Sequence, residues 1–197
     1  MTCRGKAGFT LIELMVVIAI IAIVGKLAFV GAGAATHRAR DARRLADFDR
    51  MVKALRLYRI DNNSYPVETN GDMYVASYNS NFLSELIPNY LPKAPKDPIN
   101  DQPNPFDWFT KNSHYYGYYY YTSASIAGGT PFSDFYGCGP AFGFAILGVR
   151  WLEAGAPRDA PNVYCGPPKP FTCPQWGIPN VCRDWSLEFD YSTMLRD

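Results

Sequence analysis

A chain of 197 residues, 48% hydrophobic and 15% aromatic, suits one globular domain with one apolar segment attached. Sixteen Gly, sixteen Pro and fourteen Tyr exclude a plain helical bundle and favour strands joined by irregular loops. The formal charge of +1 conceals an asymmetry: residues 37–59 hold eight Lys/Arg against three Asp, whereas residues 61–197 hold eight Lys/Arg against fourteen Asp/Glu.

The first element is an apolar run. From Phe9 to Ala35, 27 residues are interrupted only by Glu13 and Lys26; as a helix they extend ~40 Å, more than the roughly 20 residues a bilayer span needs. A secretory signal would have an apolar region of roughly 7–15 residues with a small-residue cleavage site behind it. The A-G-A and G-A-A triplets in VGAGAATHRARDARR can pass for such a site, but no secretory signal explains the acid inside the run. A plain membrane anchor leaves it unexplained too, since a carboxylate in hydrocarbon costs roughly 2.5–3.5 kcal/mol.

The residues before the run supply a third reading. MTCRGKAG is short and basic and ends in Gly8, and G-F-T-L-I-E-L follows at 8–14. This stretch resembles the N-terminal signal of the type IV pilin and pseudopilin superfamily. The resemblance implies cleavage by prepilin peptidase between Gly8 and Phe9, N-methylation of Phe9, and a role for Glu13, fifth in the mature chain, in subunit assembly. A physical account of Glu13 follows: in a bundle of apolar helices an unpaired terminal ammonium is costly, and a neighbour's carboxylate neutralises it. Such a pair fixes register more than it adds stability. Gly25, Gly31 and Gly33 weaken the helix and either let helices approach closely or permit local melting of residues 25–35. Lys26 departs from the family's uncharged pattern and can snorkel to the outer interface.

Beyond Ala35, Leu45, Phe48, Val52, Leu55 and Tyr58 follow at spacings of 3, 4, 3 and 3 and predict one apolar stripe of an amphipathic helix. The opposite, charged face carries Arg40, Asp41, Arg43, Arg44, Asp47, Arg50, Lys53 and Arg59, and Asp61-Asn62-Asn63-Ser64 with Pro66 ends the helix. RDARRLADFDRMVKALRLYRIDNNSYP resembles the stem of major-pseudopilin-like proteins of type II secretion. SNFLSELIPNYLPKAPKDP resembles their short second helix and following loop.

The remainder predicts an antiparallel sheet. HYYGYYYYTSAS at 114–125, AFGFAILGVRWLEAG at 141–155 and WSLEFDYSTML at 185–195 are the candidate strands. The Tyr run suits cross-strand packing better than a stacking platform for bases or sugars. Cys3 lies in the leader, leaving Cys138, Cys165, Cys173 and Cys182, which form no CxxC pair and lie far from His37 and His114. Disulfides therefore outweigh zinc, with three connectivities open and 138 with 165, 173 with 182 preferred.

Catalysis finds no motif: GxSxG, HExxH and a Gly-rich phosphate loop are all absent from the sequence. No cofactor is expected. Asp97, Asp101, Asp107 and Asp134 are the weak candidates for Ca²⁺, and their spacing matches no calcium loop, so each reads as a solvated turn.

The expected fold is α+β and pilin-like: a long N-terminal helix, transmembrane half plus amphipathic half, packed on a small antiparallel sheet head with disulfide-rich loops. The expected divisions are 1–8 leader, 9–35 transmembrane and assembly helix, 36–61 amphipathic stem, and 62–197 head. The expected function is a structural subunit of a type IV pilus or type II secretion pseudopilus, with itself, other pilins or pseudopilins, prepilin peptidase and an inner-membrane assembly platform as partners. Such a chain starts as a single-pass inner-membrane protein, N-terminus cytoplasmic and head periplasmic or extracellular. Arg38, Arg40, Arg43 and Arg44 beyond the run oppose that topology, while the leader requires it and Asp41, Asp47 and Asp49 partly offset them. The alternatives are a minor pilin that binds DNA or surfaces and a monomeric membrane-anchored domain.

Overall fold

A computed structural model describes residues 9–67, 73–103, 112–122, 132–139, 142–167 and 182–196, with the side chains of 27–32 outside the description. The chain divides into two compact units, Met1–Ala39 and Arg40–Asp197. One helix, α1, runs Leu11–Asn62 without a break through Gly25, Gly31 and Gly33. It stops where Asn63 takes φ 58° and its N–H reaches the Arg59 carbonyl at 2.9 Å, a left-handed terminus that asparagine tolerates.

Within the second unit, four strands pair antiparallel in the order β1 (Tyr74–Ala76), β2 (Tyr116–Tyr121), β3 (Phe144–Val149) and β6 (Tyr191–Arg196). A two-residue pair, β4 (Tyr164–Cys165) with β5 (Arg183–Asp184), lies apart from that sheet. All six residues of β2 and all six of β3 are buried, so the central strands are covered on both faces. Side chains alternate across a strand. Tyr116, Tyr118, Tyr120, Ala145, Leu147 and Val149 accordingly join Phe48, Met51, Ala54 and Leu55 of α1 in one core. Tyr119, Tyr121, Phe144 and Ile146 join Cys165, Trp185 and Phe189 in the other.

Two strand glycines make the second core possible. Gly117 and Gly148 face each other across β2 and β3, and the Phe189 ring lies over both: a Cβ on Gly117 would meet ring carbons at 2.7 Å, and one on Gly148 would come closer still. The Tyr run is thus core on both sides of a sheet.

Several expectations change. The third strand starts at Tyr191, because Asp184 accepts a hydrogen bond from Ser186 N–H at 2.9 Å and caps a 3₁₀ turn at Trp185–Leu187. The second helix is only a 3₁₀ turn, Ser84–Leu86, followed by extended Ile87; the residue before a proline, here Pro88, is driven out of the helical region. The charged face of α1 is solvated only in part: Arg43, Arg50 and Lys53 are exposed, whereas Asp41, Arg44 and Asp47 are buried, and Arg44 is closed over by Asp97 and Glu153. Among the described residues no helix is long and apolar enough to cross a membrane.

Candidate functional site

The start of α1 is built by its own sequence. Thr10 precedes the first helical residue, and Glu13 stands three positions on. Glu13 N–H donates to Thr10 Oγ1 at 3.4 Å, while Thr10 N–H and Oγ1–H donate to Glu13 Oε2 at 2.9 and 2.7 Å. This is a capping box, in which a Thr and a Glu reciprocally satisfy donors that the first turn leaves open. The T-x-x-E spacing was readable in the sequence, yet it is a local use of Glu13 that reasoning about buried charge overlooks. Both donors converge on Oε2, and Oε1 has no hydrogen-bond partner among the described residues.

Beyond the cap, apolar side chains are exposed on every side of the helix. Phe9 is 84% and Leu11 80% exposed, and Ile12, Leu14, Met15, Ile18, Ile21 and Val24 each remain more than half exposed. A helix apolar all round belongs in a core or a membrane, and an exposed apolar surface of this extent marks an interaction site. Gly25 and Gly33 have nothing within 4 Å of an added Cβ, so no contact among the described residues requires them to be small. Gly8 lies outside the described residues.

In the second unit a buried ionic cluster ties three segments together. Arg44 Nε and Nη2 donate to Asp97 Oδ2 and Oδ1 at 2.7 and 3.0 Å, and Nη1 donates to Asp41 Oδ1 and Glu153 Oε1, both at 2.7 Å. Arg40 forms a second ion pair with Glu153. Asp41 also accepts from the backbone N–H groups of Glu153 and Ala154 at 3.0 and 2.7 Å, and Asp97 from Ile99 N–H at 2.9 Å. Burial pushes the Arg44 guanidinium down, but its bonds to Asp97, Glu153 and Asp41 outweigh that and hold it above its ordinary value. The hydrogen bond from Arg40, with those from Arg44, lowers the Glu153 carboxyl to about 2 despite its burial.

The four acids considered for a cation separate. Asp97 is consumed by Arg44, which corrects its reading as a solvated turn. Asp101 accepts from the His114 N–H and lies 3.3 Å from its Nδ1, Asp134 is exposed in a short helix, and Asp107 lies outside the described residues. Among the described residues no group of three His, Cys, Asp or Glu side chains is placed to hold a metal.

Cys138 and Cys165 are joined at 2.15 Å S–S and 4.6 Å Cα–Cα, bringing the Phe132–Phe135 helix to β4. Closing a loop of that separation, 27 residues, is worth about 3–4 kcal/mol in the chain-entropy account. Cys182 is also disulfide-bonded, and Cys173 lies outside the described residues.

Residues 3–25 match the family model of the prokaryotic N-terminal methylation motif. The chain is 48% identical over 62 residues to a type IV wide pilus major component of Thermus thermophilus, covering 32% of this chain and 47% of that protein. It is 35% identical over 68 residues to a type II secretion system core protein G of Aeromonas hydrophila, covering 34% of this chain and 48% of that protein. The chain therefore spans about half the length of the curated relatives it matches. No solved structure matches it. These findings support the type IV pilin and pseudopilin superfamily, and the family model matches the stretch that carries the cap and the exposed apolar helix.

Proposed function

We propose that this chain is a structural, non-catalytic subunit that polymerises through α1 into a type IV pilus or a type II secretion pseudopilus. The observation that carries the reading is an apolar surface exposed around the whole circumference of α1 at its N-terminal end, opened by a capping box that leaves one carboxylate oxygen unused. A soluble monomer gains nothing from that surface, whereas copies packed along it bury it.

In this reading prepilin peptidase cleaves between Gly8 and Phe9, Phe9 is N-methylated, and the new amine meets Glu13 Oε1 of a neighbour. The unassembled subunit sits in the inner membrane with its N-terminus cytoplasmic and its head periplasmic or extracellular, with Lys26 snorkelling at the outer interface. An assembly platform takes it from there into the filament with other pilins or pseudopilins.

Intact-mass analysis combined with sheared-filament yield tests this. The mature chain is expected to begin at N-methyl-Phe9, and Glu13→Gln to be processed yet enter filaments poorly, since an amide cannot neutralise an ammonium among apolar helices. A mature chain starting after Ala35, or Glu13→Gln filaments at wild-type yield, would overturn it.

A further inference from the structure

Within the second unit a groove of about 720 Å³ lies between α1 and the segment at 91–96. Its floor includes Leu91 and Pro95, and its rim carries Arg43, Arg50, Lys93 and Lys96. Among the described residues one acid pairs with these cations: Asp47, which lies 3.2 Å from Arg50 and 3.7 Å from Arg43. No ion pair engages Lys93 or Lys96 among the described residues, and both are exposed. The groove is thus an apolar floor inside a rim of net positive charge among the described residues, the complement of a ridge that is apolar and acidic.

The same chain carries such a ridge. Leu57 and Ile60 at the end of α1 are 53% and 71% exposed, and Asp61 follows on the same face. Glu85 stands beside them: Tyr58 donates to Glu85 at 2.6 Å, Tyr90 donates to Asp61 at 2.9 Å, and the two rings pack edge to face at 5.4 Å. Both carboxylates accept from hydroxyl groups, and no cation pairs with either among the described residues.

Groove and ridge also share a face of α1. Arg43, Arg50 and Leu57 recur every seven residues, as do Ala46, Lys53 and Ile60, which drifts by only ~20° per heptad. From Ala46 to Ile60 the axial distance is ~21 Å at 1.5 Å per residue. We infer that the basic groove of one copy receives the Leu57/Ile60/Asp61/Glu85 ridge of a second copy that is turned to face it about an axis parallel to the helix and displaced by ~20 Å along that axis. The two patches differ, so the contact is heterologous, and with an axial displacement it repeats without closing, as a filament requires and a symmetric dimer does not. This inference rests on the subunit reading and adds the head contact that sets the spacing of copies.

Charge reversal with co-expression tests it in filament-forming cells. Lys93→Glu/Lys96→Glu in one chain and Asp61→Lys/Glu85→Lys in another should each lower sheared-filament yield by at least about tenfold, because like charges then meet at every contact. Expressed together they should restore it as mixed filaments, since every alternating contact is again opposite in sign. Normal yield from either variant alone, or no recovery on co-expression, overturns the interface while leaving wild-type filaments, and so the subunit reading, untouched. No wild-type filament at all would remove both. Should the reversals fail to fold, cysteine cross-linking decides: Ala46→Cys/Ile60→Cys, whose own two sites are too far apart to join within one chain, should give a covalent ladder on mild oxidation of filaments, and each single variant none. Dimers from a single variant, or no ladder from the pair, refute the contact.

Discussion

Replacing Arg44 by methionine is the most demanding test of the head. The side chain is fully buried, holds Asp97 with two bonds and Asp41 and Glu153 with one each, and Asp97 is itself fully buried. Methionine fills much of the volume and removes the charge, so Asp97 is left as a buried carboxylate without its cation. Breaking a buried pair from one side costs about 3–5 kcal/mol, far more than the pair is worth relative to an apolar substitute. For a unit of this size each kcal/mol lowers Tm by ~2–4 °C, giving an expected drop of ~6–20 °C. Near-UV circular dichroism of the full chain in detergent reads it, with Arg50→Met as the comparison. Arg50 reaches Asp47 from a 70% exposed position, and such pairs are worth at most about 1 kcal/mol. Asp97→Asn keeps an acceptor for Ile99 N–H and removes the stranded charge, so the double variant should lose about 0.5–3 kcal/mol less than the two singles added together. An Arg44→Met loss no larger than that of Arg50→Met, or strict additivity with Asp97→Asn, would refute the account of the cluster.

Gly148→Ala drives a methyl into the Phe189 ring and should cost about 1–3 kcal/mol in urea unfolding, largely recovered by Phe189→Leu; an unchanged midpoint would show that the ring yields freely. The Glu153 carboxyl is lowered from 4.5 to about 2, so its stabilising effect is complete above about 4.5 and is lost as pH falls toward about 2. Wild type and Glu153→Gln should therefore differ in Tm at neutral pH and converge across that acid interval. A difference that stays constant down to the lower end would refute it.

How much of this was readable in advance depends on range. The long helix and its stop came from local rules: a 3.6-residue period through Phe48 and Leu55, and Asn63 with Pro66 behind it. The Tyr run read as strand because aromatic residues suit a pleated, packed surface. What escaped was set by partners distant in sequence. Met51 and Ala54 are core because the sheet lies over them, and Arg44 is buried because Asp97 and Glu153, 53 and 109 residues away, close over it. No periodicity marks a buried arginine, which by type belongs on the surface. The strand β1 has three residues, too few to alternate visibly. The seat for Phe189 needed the cross-strand register of Gly117 and Gly148, which neither strand contains alone.

Glu13 shows how one residue can answer two demands. Taken alone, its charge in an apolar run looks like an expense that only assembly could recover, and the capping box lowers that expense before any partner arrives. Thr10 N–H and Oγ1–H saturate Oε2, fix the carboxylate's rotamer and hold it at the first turn, where the helix dipole favours negative charge. A carboxylate held this way enters an assembly already oriented, with Oε1 presented and little further side-chain freedom to lose. The cap and the proposed pairing therefore cooperate rather than compete, because they use different oxygens. Removing the Thr10 hydroxyl leaves the charge in place and frees its direction, which separates the two contributions of the site: what Thr10 supplies is aim, and what Glu13 supplies is charge.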